Sequence, residues 1–159
     1  MLFVSPVGHA ADTVLTVTGE VKTPLKLTLA ELESMPAQTV SVKDPDGSTA
    51  SYKGVLLHAV LARAGIPEGQ SLRGLAMQLC VLVKATDGYK VAFSLAELDP
   101  LFGTENVLLA YRRDGKELDV KSGPLRLVVP SDKHQGRWVR EVTGLEIIRL
   151  ANANLKNPS

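Results

Sequence analysis

Three aspartate–glycine pairs, Asp46-Gly47, Asp87-Gly88 and Asp114-Gly115, sit between short runs of aliphatic and β-branched residues. Asp-Gly is turn chemistry, because the aspartate side chain can bond its own backbone two residues on and glycine accepts a positive φ. A chain punctuated in this way folds as short strands joined by tight reversals. The runs fall at 13–18, 38–43, 75–84, 89–93, 106–112, 117–120, 125–129 and 144–150, about eight expected strands. Helical signals are fewer. Thr28-Leu29-Ala30-Glu31 and Ser94-Leu95-Ala96-Glu97 are capping boxes, each opening a short helix. Residues 54–64 hold Val55, Leu56, Val60 and Leu61 at helical spacing, and Gly65 and Pro67 end the run. The elements do not alternate as strand–helix–strand units, which excludes a doubly wound parallel sheet. The expected fold is α+β, with β-rich mixed sheets and about three short helices.

A chain of 159 residues fits one domain, and 45% hydrophobic residues are enough for a core without staples. The single cysteine, Cys80, excludes an internal disulfide, and no Cys/His spacing matches a zinc site. A net charge of +1 gives no general drive toward nucleic acid, so any anion site must come from local clustering. The longest apolar run, 75–83, is broken by Gln78 and falls short of the ~18 residues that span a bilayer. Residues 1–11 end in small side chains. Gly8 and Ala10 stand where a signal peptidase reads them, so this segment is expected to be the remnant of a secretory signal peptide and the protein periplasmic or secreted. Residues 12–150 form the domain, and 151–159 read as a polar tail.

A series of blocks in the second half is more specific. It runs Asp87-Gly88-Tyr89, Asn106-Val107-Leu108-Leu109-Ala110-Tyr111 and Asp114-Gly115-Lys116-Glu117-Leu118. It continues with Gly123-Pro124-Leu125-Arg126-Leu127-Val128-Val129-Pro130 and Gly136-Arg137-Trp138-Val139-Arg140. Upstream lies Tyr52-Lys53-Gly54-Val55-Leu56-Leu57. In order and spacing these resemble the molybdopterin-binding domain of the sulfite oxidase family, over roughly residues 13–150. The resemblance implies that family's fold and molybdopterin as cofactor, its molybdenum held by a pterin dithiolene and one cysteine thiolate. The thiolate would lie at a strand end before the aromatic-x-Gly-Val segment. Residues 39–51 occupy that stretch and contain no cysteine, and Ser122 stands where the family has a histidine. A soft thiolate is the protein's direct hold on such a metal.

The resemblance places Asp87, Tyr89, Ser122 and Arg126 around the pocket, and gives the loop Lys133, His134, Arg137 and Arg140 the pterin phosphate. Arginine suits that role because its planar fork meets two phosphate oxygens. Each residue also has a plainer role: Asp87-Gly88 is a turn, the loop is a solvated basic segment anchored by Trp138, and Arg126 in its apolar strand pairs with Asp87 or Asp114. Cys80 reads as a small hydrophobe. Three functions stay open. The first is an exported module that binds a pterin-like or phosphate-bearing ligand, or a periplasmic or membrane redox or sensor protein. The others are a structural domain with a filled pocket, and an oxidoreductase whose metal is held by dithiolene alone.

Overall fold

In a computed structural model, which describes residues 12–103 and 106–150, ten strands form two five-stranded sheets with three short helices. The first sheet has the order β2 (Leu25–Thr28), β1 (Thr13–Gly19), β10 (Val142–Arg149), β5 (Leu79–Ala85), β6 (Lys90–Ser94). The second runs β3 (Gln38–Lys43), β4 (Thr49–Leu56), β7 (Leu108–Arg113), β8 (Lys116–Glu117), with β9 (Arg126–Val128) also paired to β7. Only β1 and β10 pair in parallel; every other ladder is antiparallel. The expected α+β architecture of mixed sheets is the one found.

Period-two patterning sets the first sheet. Leu15 and Val17 of β1, and Leu79, Val81 and Val83 of β5, point into one core. The alternate residues face water, where Lys84 and Glu146 pair across the ladder at 2.7 Å. In the second sheet β7 is central, and Leu108 through Tyr111 are all buried, as a strand covered on both faces requires. Two glycines are fixed by close approach. A Cβ on Gly19 would stand 2.1 Å from the Ile147 carbonyl oxygen, and one on Gly54 the same distance from that of Leu109. Gly54 therefore lets β4 kink at its irregularity against β7.

Helices α1 (Leu29–Glu33) and α3 (Leu95–Leu98) start where the capping residues stand. The Ser94 box is complete, with Glu97 accepting the Ser94 amide and Ser94 accepting the Glu97 amide. At Thr28 the hydroxyl accepts the Glu31 amide but donates to the Glu31 carboxylate, so that box closes through side chains.

Four expectations need correction. The helix expected over 54–64 is α2 (Leu57–Arg63), because Gly54, Val55 and Leu56 pair with β7. Pairing to a buried strand outweighs local periodicity. The strand expected from 75 begins at Leu79, opposite Arg149. Upstream no strand lies opposite among the described residues, and Gly74–Gln78 close a 3₁₀ turn instead. The strand expected over 117–120 stops at Glu117, leaving Val120 91% exposed. Strands β2 and β4 were not among the eight expected. The signal-peptide remnant at 1–11 and the tail at 151–159 lie outside the described residues. No helix among the described residues is long and apolar enough to cross a membrane.

Candidate functional site

Strand β9 carries Arg126 into the core between Leu125 and Leu127, and leaves it 9% exposed. One terminal nitrogen donates to the Tyr52 hydroxyl at 3.1 Å and the other to the Gln135 side-chain oxygen at 3.4 Å. The guanidinium carbon lies 5.7 Å from the Tyr52 ring centroid and 5.5 Å from that of Trp138. Its Nε is buried without a partner. The carboxylates expected from sequence do not pair with it: Asp114 accepts the Ser51 amide at 2.9 Å and Asp87 accepts the Tyr89 amide at 2.9 Å. A buried cation with only neutral partners is costly, and aromatic faces offset this in part. Burial pushes the Arg126 pKa down; the Tyr52 hydroxyl opposes this and the positive charge of Arg140 adds to it.

The 131–140 loop is anchored at both ends. The Trp138 indole donates to the Val129 carbonyl at 3.1 Å and its ring meets Tyr52 edge-on at 6.2 Å. Between them Gln135–Arg137 form a 3₁₀ turn. Arg137 meets Asp132 with two bonds, at 2.9 and 2.8 Å, reaches Glu97 at 3.5 Å, and lies 4.3 Å from the Phe93 ring centroid. The Asp132 bonds hold its pKa well above the usual arginine value despite partial burial. Its fork is thus engaged inside the protein.

Two clefts flank that turn and share Gln135 and Trp138. One, of about 520 Å³, lies between the end of β3 and the loop, and is lined by Ser41, Lys43, Asp44, Lys133 and His134. The other, of about 310 Å³, is lined by Asp87, Tyr89, Lys121, Gly136, Arg140 and Glu141. Of the residues expected from sequence, the fold gathers Lys133 and His134 about the first cleft and Asp87, Tyr89 and Arg140 about the second. Arg126, Arg137 and Ser122 line neither, and Arg126 lies behind the Gln135 side chain that lines both. The Ser122 amide donates to Asp119 at 2.9 Å and its carbonyl accepts the Glu141 amide at 2.9 Å. Sequence reasoning missed Gln135, Lys43, Lys121 and Tyr52. Gln135 had a signal, a polar side chain between His134 and Gly136. Lys43 had only its place before the Asp44-Pro45 turn.

The charges around these clefts are sorted. Asp44 pairs with Arg113, Asp132 with Arg137, and Asp46 accepts the Ser48 amide and hydroxyl. Lys43, Lys121, Lys133 and Arg140 make no ion pair among the described residues. A molecule of net charge +1 thereby holds a local positive field at the first cleft, whereas in the second Asp87 and Glu141 offset Lys121 and Arg140. A wider groove of about 650 Å³, beside Gly65–Glu68, lacks this property, since Glu20 and Glu68 balance its Lys22 and Arg149.

These residues suit the phosphate end of a pterin cofactor but not its molybdenum. The end of β3 presents Ser41, Val42 and Lys43, none of them a soft donor. Cys80 lies on β5, in the other sheet, where burial raises its thiol pKa. No group of three His, Cys, Asp or Glu side chains suitable for a metal occurs among the described residues.

Comparison with known proteins bears on the whole frame. The family model described as oxidoreductase molybdopterin binding domain matches residues 41–155. Among solved structures, the sulfane dehydrogenase SoxCD from Paracoccus pantotrophus superposes with a TM-score of 0.67 at 23% identity, covering 86% of this chain and 38% of that one. The chain therefore spans well under half the length of this structural relative. No curated protein matches the sequence. The two-sheet frame, the blocks along it and a family model covering most of its length agree, and the chain belongs to the oxidoreductase molybdopterin binding domain family.

Proposed function

We propose that this molybdopterin-type domain is a binding module. It holds a pterin-like or other phosphate-bearing ligand in the cleft between β3 and the 131–140 loop, and carries out no redox step of its own. The observation that carries this reading is Arg126: a buried cation with an orphaned Nε, no carboxylate partner, and a second positive charge, Arg140, near enough to disfavour it. An anion relieves all three conditions together. Phosphate is a far better acceptor for a guanidinium than a neutral amide, so the ligand engages the unpartnered Nε while Gln135 keeps its bond to the terminal nitrogen. Lys43 and Lys133 add charge from the rim, and Trp138 supplies an apolar wall. Molybdopterin would bring its own redox chemistry, but the metal end finds no soft donor at this cleft among the described residues. A periplasmic setting, with a redox or sensor protein as partner, accords with the small-residue run before Asp12.

The test is calorimetric titration with pyrophosphate and with a phosphorylated pterin, together with metal analysis of protein made in a molybdate-replete host. Binding that is lost in Arg126→Met, with substoichiometric molybdenum, supports the module. Stoichiometric molybdenum would establish the dithiolene-only oxidoreductase instead. Failure of both ligands to bind would leave a structural domain. Fractionation of cells tests the compartment, and recovery in the cytoplasm would overturn it.

A further inference from the structure

We propose that Tyr89 is a positioning residue, a latch that holds the 135–137 turn in the shape the anion cleft needs. The proposal rests on the binding reading above and concerns the regulation of the same site. Tyr89 stands at the mouth of the β5–β6 hairpin, in the first sheet, with its side chain half exposed. Its backbone is fixed from both sides: the amide donates to Asp87 at 2.9 Å and the carbonyl accepts the Ala85 amide at 2.9 Å. From this braced base its hydroxyl crosses the second cleft and donates to the Gly136 carbonyl. Gly136 belongs to the loop that follows β9, so the bond ties one sheet's hairpin to the other sheet's binding loop.

The bonded carbonyl is at a sensitive place. Gln135 on one side holds the Arg126 guanidinium, and Arg137 on the other holds Asp132. Around Gly136 itself the space is open, since a Cβ there would meet nothing within 4 Å. Gln135 and Arg137 are held by their side chains, and at Gly136, which has none, the Tyr89 hydroxyl is the contact that pins the crest among the described residues. A half-exposed phenol contributes little to global stability. It can still set the order of a short loop, because a loop fixed in its binding shape loses less entropy when the ligand arrives.

Tyr89→Phe removes the hydroxyl and keeps the ring. Amide exchange at Trp138 and Val139, followed by NMR, is expected to accelerate about fivefold, the effect of one modest hydrogen bond, while the melting temperature stays within about 2 °C. Pyrophosphate affinity, read by calorimetry, is expected to fall by a similar factor of about five. Unchanged exchange at both amides overturns the latch. Faster exchange with unchanged pyrophosphate affinity overturns its role in binding. If the wild-type protein does not bind pyrophosphate, the binding reading falls, and so does the latch as a regulator, whereas loss of binding in Arg126→Met with intact binding in Tyr89→Phe rejects the latch alone.

Discussion

Arg126 shows how one side chain can serve a ligand at the expense of the core. Methionine has a similar stem and no charge, so Arg126→Met exchanges a poorly partnered cation for packing between Tyr52 and Trp138. Its melting temperature is expected to equal or exceed that of the wild type, while phosphate-ligand affinity drops at least ~10-fold, the loss of one charged hydrogen bond. Thermal melts and calorimetry on the same sample check both. A loss of stability above ~3 kcal/mol would instead make Arg126 a core residue. The sequence announced this arginine, since a charge inside Leu125–Val129 stands out. Its partners stayed hidden because they are neutral, and Tyr52 lies 74 residues away. Carboxylates were the natural guess, but Asp87 and Asp114 are consumed by backbone amides, a use that becomes visible only once the turns are folded.

At the level of elements, clamps made by single side chains hold the loops that strands leave behind. Asp99, 3% exposed after α3, accepts the Gly69 and Leu101 amides at 2.8 Å each and so fastens the 3₁₀ turn Gly69–Ser71. Burial disfavours its charge, but the two amides, helped by His58, outweigh burial and hold its pKa below the ordinary value. A depressed carboxylate pKa stabilises the fold above the unfolded-state value, and that stabilisation disappears as pH falls through the folded one. Asp99→Asn is therefore expected to cost about 1–3 kcal/mol near neutral pH, and the gap to wild type should close below about pH 4. Urea melts across that range measure it; a gap independent of pH would refute the assignment. In the binding loop, Asp132→Ala frees the Arg137 fork and is expected to cost about 1 kcal/mol, discounted for partial exposure, and to weaken anion binding through disorder of the turn. Caps and tight turns were legible because each is written within four residues. Strand β4 and the start of β5 were not, because the decisive partners, β7 and the end of β10, are distant in sequence.

For the molecule as a whole, charge and topology matter in different ways. The net charge is small, so stability should change little with salt, whereas ligand affinity, set by Lys43, Lys133, Arg126 and Arg140, should fall as ionic strength rises from ~0.05 to ~0.5 M. Parallel titrations and melts at the two salt concentrations distinguish the two, and salt-independent affinity would place the ligand elsewhere. Topology carries a further consequence. β10 lies in the middle of the first sheet, and its parallel partner β1 is the first strand among the described residues, Thr16 facing Gly144. A chain ending at residue 140 has two separate strand pairs in place of that sheet, and circular dichroism should find it unfolded. Contacts of such long sequence separation form slowly. During synthesis the nascent chain cannot complete this sheet until β10 has left the ribosome.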